Sequence, residues 1–386
     1  MPLAALIIAG GETAPGAAPS LLPVVGQTLI EYQVRTARAS GARHIVVLVD
    51  QMPAGLVAAF DRLRGDGIDL DVARDIRDAA DRIHPDEQIL LVMPAIFTSR
   101  LVMETLAQQS SVALLCASEN SSDAAFERID ARDRWSGLAL LNGKLLRETV
   151  AMLGDWSVGS TLLRRMLQSG AERRYLGSDD FLEIVDTSGQ AQAASATLLK
   201  RVMPTAAMGS DQRVIAALAR PCARPLLEQR VPIDLLVALP FVCLGAALIV
   251  AALGWFLTSF VLFLIAIIAA GIATLGTHVA SIESKPLLRF AETRLLCYAL
   301  LLLNLAWYIG GTWTALILAT WSVSQLLLGA PTVDDVWRST PERGAVIMCV
   351  ALIAGYPILG LGLLVIHGLM GQIAHRYFAS KNLARP

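Results

Sequence analysis

The charged residues are spread so unevenly that one chain reads as two. Residues 231–386 hold only eight Lys/Arg and six Asp/Glu, which leaves 24 and 27 for the first 230. About 20 helical residues cross a hydrocarbon core ~30 Å thick. Six stretches of the second part are read as such spans: 232–253, 256–279, 293–309, 311–330, 343–355 and 357–378. The fifth is short, and Gly355-Tyr356-Pro357 is alternatively a kink inside one long helix. Basic residues test the count. Arg213, Arg220, Arg224 and Arg230 precede the first span, and Lys285, Arg289 and Arg294 lie between or beside the second and third. Arg338 and Arg343 lie between the fourth and fifth, and Arg376, Lys381 and Arg385 follow the sixth. The turns near Gly254, Gly310 and Gly355 carry no charge, while Trp255, Trp307, Tyr308, Trp313 and Tyr356 cluster beside them. All basic connections then fall on one side, as the positive-inside rule asks. The sequence thus predicts a multi-pass inner-membrane protein with both termini and the charged domain cytoplasmic. A hydrophobic content of 55% and a mean hydropathy of +0.56 agree with that reading.

The charge of the whole chain excludes one class of partner. With 32 basic and 33 acidic residues there is no global field to recruit nucleic acid. Locally, "DQRVIAALARPCARPLLEQR" at 211–230 combines an apolar stripe with four arginines. That pattern suits an interfacial segment with anionic membrane lipids as partners, and equally a solvated linker. The five cysteines, Cys116, Cys222, Cys243, Cys297 and Cys349, show no CxxC spacing, so buried thiols are expected rather than a metal site or disulfide framework. The opening "MPLAALIIAGG" is apolar without a basic n-region and reads as a first buried strand, not a signal peptide.

In the first 200 residues short apolar runs alternate with helical patterns. Strands are predicted at 4–9, 44–50, 68–72, 88–93, 112–118, 137–141 and 181–185, and helices at 28–40, 53–64, 100–109 and 143–153. Alternation of this kind implies an α/β domain, a mostly parallel sheet covered on both faces. Ligands of such sheets bind outside the carboxyl ends of the strands. The small-residue turn from Gly10 to Thr13 lies at one of those ends and is the candidate site.

The residues of that turn carry a specific resemblance. Ala9, Gly10, Gly11 and Thr13, then "LLPVVGQTLIEYQ" at 21–33 and "ASGARHIVVLVD" at 39–50, resemble the signature of MobA-like nucleotidyltransferases of the GT-A type. That family activates sugar or polyol phosphates. The resemblance implies a Rossmann-like fold and a nucleotide bound at Gly10, Gly11 and Thr13. The chemistry departs from it. Glu12 stands where the family has glycine, Ala14 where it has a phosphate-holding arginine, and Ser20 or its neighbour where it has lysine. Pro94 and Ala95 stand where it has a metal-binding aspartate. A late carboxylate survives in "EIVDT" as Asp186, the one candidate metal ligand, with Glu183 nearby. Removing cations that neutralise phosphate charge costs several kcal/mol of transition-state stabilisation.

A nucleotidyltransferase-like domain, an arginine-rich segment and apolar helices together resemble the bifunctional inositol-1-phosphate cytidylyltransferase/CDP-alcohol phosphotransferases. "ALARPCARPLLEQRVPIDLL" at 217–236 resembles the entry to their second domain, which implies a phosphate or lipid-headgroup role for Arg220 and Arg224. The family's transferase motif, D-x-x-D-G-x-x-A-R-x8-G-x3-D-x3-D, uses four aspartates to hold two metals. The matching stretch, "ATLGTHVASIESKPLLRFAETRLLCYA" at 273–299, has Ala273 and Gly276 for the first two aspartates and Ser281 for the arginine. Between Leu235 and Val333 the only acids are Glu283 and Glu292. His278 and His367 read better as interhelical hydrogen-bond partners than as functional groups.

The sequence therefore predicts three parts: a nucleotidyltransferase-like domain (1–200), an arginine-rich linker (201–230) and a six-helix CDP-alcohol phosphotransferase-like transmembrane domain (231–386). The expected role is a catalytically degenerate binding or partner subunit of a phospholipid or polar-headgroup pathway, without a cofactor. The expected partners are membrane lipids, CTP or a CDP-alcohol, and a second copy or an active paralogue. The alternative is an active Mg²⁺-dependent transferase that makes a CDP-activated polyol or transfers a phospho-alcohol.

Overall fold

The computed structural model describes residues 2–10, 19–118, 126–153, 157–177, 180–201 and 233–279, together with 363 and 366. The chain divides into two compact units, the first holding the α/β domain and the second the apolar helices beyond residue 232.

Parallel pairing organises the first unit. β1 (Leu3–Ile8) lies between β4 (His44–Leu48) and β6 (Gln88–Val92), parallel to both, and β5 (Asp71–Ala73) extends the sheet beyond β4. On the other side, β10 (Asp133–Asn142) runs antiparallel to β6 and to β8 (Ala113–Ser118), and β11 (Glu172–Tyr175) closes that edge parallel to β8. The order is β11-β8-β10-β6-β1-β4-β5, with the short β9 (Glu127–Arg128) on β10. The mostly parallel sheet expected from the alternation is present. β10 is longer than predicted because its polar start, Asp133 and Arg134, still pairs with β8 across a bulge.

Successive residues of each strand point to opposite faces, so both faces must be covered. Ile7, Val47 and Val92 pack under α1 (Leu29–Ala39), α2 (Ala54–Gly65) and α4 (Arg100–Ala107). Leu6, Val46 and Leu91 pack under α3 (Ile76–Arg82), α5 (Gly143–Ala151) and α6 (Val158–Gln168). A last helix, α7 (Ser188–Arg201), follows β12 (Leu182–Ile184), which pairs antiparallel with β7 (Ile96–Thr98). A two-residue turn, Val25-Gly26, joins β2 (Pro23–Val24) to β3 (Gln27–Thr28).

α1 is fixed more tightly than its length requires. Thr28 and Glu31 form a capping box, with the Thr28 amide donating to Glu31 Oε2 at 2.9 Å. Glu31 is buried and also accepts from Arg62 of α2, Nε at 2.8 Å and Nη2 at 3.1 Å. Arg35 bonds Asp66 Oδ2 through Nε at 3.1 Å and donates to Gln27. Burial opposes ionisation of Glu31, but the hydrogen bonds from Arg62 and Thr28 and the charge of Arg35 outweigh it and hold its carboxyl below the usual carboxylate value. On the next two residues, Tyr32 Oη donates to the Thr98 carbonyl at 2.9 Å and Gln33 Nε2 to the Ile96 carbonyl at 2.7 Å. Together they tie α1 to β7.

The second unit contains α8 (Ile233–Ala252) and α9 (Phe256–Val279), joined at Gly254, whose φ of 82° suits a helix-ending glycine. Leu244 and Ala247 pack against Phe263, Ala266 and Ile267, and buried Ser259 donates to the Ala247 carbonyl at 2.8 Å. This overturns the six-span reading: among the described residues no helix is long and apolar enough to cross a membrane. Part of the apolar surface of these helices forms a helix-on-helix core, while Leu235, Val242, Ile249 and Val261 are exposed. Pro240 lies inside α8 and removes one backbone donor from that helix. The six-helix transmembrane domain and the assignment as a membrane protein are therefore not supported. The remaining expected spans, apart from residues 363 and 366, and the arginines at 213, 220, 224 and 230 lie outside the described residues.

Replacing Glu31 with Gln should destabilise the α/β domain by about 1–3 kcal/mol at pH 7, because Arg62 loses a buried carboxylate partner. The folded-state value of Glu31 is depressed, so its contribution is present above the unfolded value of about 4.3 and is lost as the pH falls below it. Urea denaturation of both proteins at neutral pH and below pH 4 checks this, with the difference expected to shrink in acid.

Candidate functional site

Three strand ends converge where such sheets bind ligands. β1 continues through Ala9, whose amide donates to the Leu48 carbonyl at 2.8 Å, to Gly10. Beside it, β4 continues through Val49 to Asp50, and a β-carbon on Gly10 would collide with Oδ2 of that aspartate. The close neighbour of Gly10 is thus the end of an exposed carboxylate side chain. Asp50 is exposed, and its charge opposes an incoming phosphate. Gly11 and Thr13, with Glu12 and Ala14, lie outside the described residues, so only the Gly10 end of the candidate nucleotide site is placed. Ser20 is buried within a single helical turn, Pro19–Leu21, where a lysine ammonium would be desolvated.

The third strand end is that of β6, in the centre of the sheet. Met93 donates its amide to the Gly137 carbonyl at 3.0 Å and is followed by Pro94 and Ala95. Ala95 is buried and has a φ of 62°, a left-handed conformation that costs an L-residue about 1–2 kcal/mol and that Asp and Asn tolerate better. The surroundings are apolar. A β-carbon on Gly159 would lie 2.6 Å from Met93 Cε, and one on Gly137 would lie 2.9 Å from Ile96 Cδ1, so both glycines make room for these side chains. Trp135 joins the same core face, its Nε1 donating to the Leu138 carbonyl at 2.9 Å.

The chain does bring its late carboxylate to this place. Val185 donates its amide to the Ala95 carbonyl at 2.8 Å, so Asp186, the next residue, stands beside the Pro94-Ala95 turn. The Asp186 and Thr187 amides both donate to Gln190 Oε1, at 2.9 and 3.0 Å, while the Gln190 amide donates to Thr187 Oγ1 at 3.3 Å. This reciprocal cap fixes the backbone at Asp186 and starts α7. The two positions that the resemblance implies for a metal are adjacent, and one is occupied by an alanine. Mg²⁺ is held through one or two carboxylates together with substrate phosphates. A single aspartate whose backbone stands beside an apolar turn fits that poorly. Among the described residues no group of three His, Cys, Asp or Glu is placed to hold a metal ion.

A polar group that the sequence reading missed stands at the same end of the sheet, beyond β8. Arg173 Nη1 lies 2.6 Å from Asp130 Oδ2 and 2.5 Å from Asp133 Oδ2, and Tyr175 Oη donates to Asp133 Oδ2 at 3.1 Å. The two carboxylates stabilise the guanidinium cation and raise its pKa. Both partners of Arg173 are anionic, so its charge is already compensated. Behind it Cys116 is buried, and burial, with the charge of Asp133, pushes its thiol up to about 11, which excludes it as a nucleophile near neutral pH. The side chain of His278, and His367, Arg220 and Arg224 in full, lie outside the described residues.

Compared with models of protein families and with curated proteins, the chain matches none of them.

The left-handed backbone at residue 95 permits a direct test. Ala95→Asp relieves the left-handed strain but buries a carboxylate in apolar surroundings, so without metal it should destabilise the domain by roughly 1–3 kcal/mol, and it should bind Mn²⁺ more tightly than the wild type does. Calorimetric titration with Mn²⁺ measures both proteins; equal or stronger binding by the wild type would mean that the turn is not where a metal ligand has been lost.

Proposed function

We propose that the α/β domain is a nucleotidyltransferase-like domain that no longer catalyses nucleotidyl transfer and works as a binding or partner subunit. The pathway proposed from the resemblance is one that handles polyol phosphates or phospholipid headgroups. One observation carries the reading: the carboxyl end of the central strand β6 bears Met93-Pro94-Ala95 in apolar packing, where the resemblance implies a metal-binding aspartate, and the backbone at Asp186 stands beside it. Phosphoryl chemistry works by positioning and by stabilising developing negative charge. Here the flank of Gly10 presents Asp50, which acts in the opposite sense. The fold's own ties, in contrast, are complete, from the capping box of Glu31 to the bonds of Tyr32 and Gln33. A domain with its scaffold intact and its charge-stabilising groups replaced is suited to holding a partner or a weakly bound CTP or CDP-alcohol. The proposed partner is an active paralogue or a second copy of the chain.

The active alternative has Asp186 in its favour, because its backbone is fixed beside the site. It also predicts a product. Purified protein incubated with CTP, Mg²⁺ and a panel of polyol phosphates should release no pyrophosphate above background. Sustained release that disappears on Asp186→Asn would establish an active transferase and overturn the proposal.

A further inference from the structure

The turn between β2 and β3 holds a residue in a conformation it disfavours. Val25 has a φ of 45° and Gly26 a φ of 80°, the pair of left-handed residues that a tight two-residue hairpin turn requires. Glycine adopts this freely; a β-branched residue does so only when its surroundings force it. Two features force Val25. Its side chain is buried, only 3% exposed, and its amide donates to Ser195 Oγ of α7 at 3.3 Å. Ser195 is itself oriented, since its hydroxyl donates to the Ala191 carbonyl one turn back at 2.7 Å.

The position of α7 in the chain gives this contact a consequence. The helix begins beside Asp186, fixed by the Thr187–Gln190 cap, and its middle reaches the turn that follows the glycine-rich segment. It ends at Arg201, one residue before the continuous part of the first unit ends at Val202. We propose that α7 is a latch: docked, it holds the Val25-Gly26 turn in its strained form; undocked, it lets the turn relax and loosens the segment leading from the glycine-rich loop into α1. The latch does not depend on whether the site catalyses.

Hydrogen–deuterium exchange on the full-length chain tests it, comparing wild type, Ser195→Ala, Val25→Asn and the double variant. Asparagine is chosen because it tolerates the left-handed region. In Ser195→Ala, peptides covering 19–28 should exchange about tenfold faster while those of β1, β4 and β6 stay unchanged, the mark of local rather than global opening. In the Val25→Asn background, adding Ser195→Ala should have little further effect, because no strain remains to be released. Unchanged exchange at 19–28 in Ser195→Ala, acceleration spread evenly over the domain, or an equal effect of Ser195→Ala in both backgrounds would each overturn the latch.

Discussion

The buried carboxylate of Glu31 is the interaction on which the arrangement of the α/β domain turns. It closes the first turn of α1 through Thr28 and accepts two hydrogen bonds from Arg62 of α2. A carboxylate removed from water is unfavourable unless its lone pairs are satisfied. With Arg62 and Thr28 as donors and Arg35 alongside, the requirement is met, and α1, α2 and the β2–β3 hairpin are joined as one body. Tyr32 and Gln33 then carry the same helix to the backbone of β7, and β7 carries β12 and the backbone of Asp186. Tyr32, Phe97 and Phe181 continue the path as edge-to-face rings at 4.7 and 5.3 Å between centroids.

That chain of contacts explains how scaffold and chemistry separate within one motif. In "LLPVVGQTLIEYQ" the polar side chains hold the fold together. Gln27 binds Arg35, Thr28 and Glu31 cap each other, and Tyr32 and Gln33 reach β7. Each of these contacts is made between residues of the fold itself. At the positions where the resemblance implies phosphate or metal contacts, the sequence carries Glu12, Ala14, Pro94 and Ala95.

The α/β class was legible because burial on both faces makes parallel strands continuous apolar runs, and α1, α2, α4 and α5 present apolar residues at helical spacing. Elements without that signal were not legible. β11, "ERRY", is an exposed charged edge strand, and α7 is rich in Ala, Ser and Gln with little apolar contrast. Short α3 betrays itself only through its Asp75 cap. Of the site, the motif named Gly10, Asp186 and the Pro94-Ala95 positions as candidates, but not that the backbone at Asp186 would lie beside the Pro94-Ala95 turn. The Asp50 carboxylate against Gly10 was not foreseen either, because that contact is made across neighbouring strands 40 residues apart. The second half shows the reverse limit. Uniformly apolar composition is shared by buried helix pairs and membrane spans, and the described residues of α8 and α9 support only a mutually packed hairpin.

The central proposal is that the α/β domain keeps a nucleotidyltransferase-like scaffold without the charged groups that would hold a triphosphate. Calorimetric titration of the full-length chain with CTP in the presence of Mg²⁺ tests it most directly. The account predicts no heat beyond dilution at ligand concentrations where a working site would saturate. Saturable binding with a micromolar Kd would contradict it, and would mean that backbone amides near Gly10 hold the triphosphate despite Asp50 and Glu12.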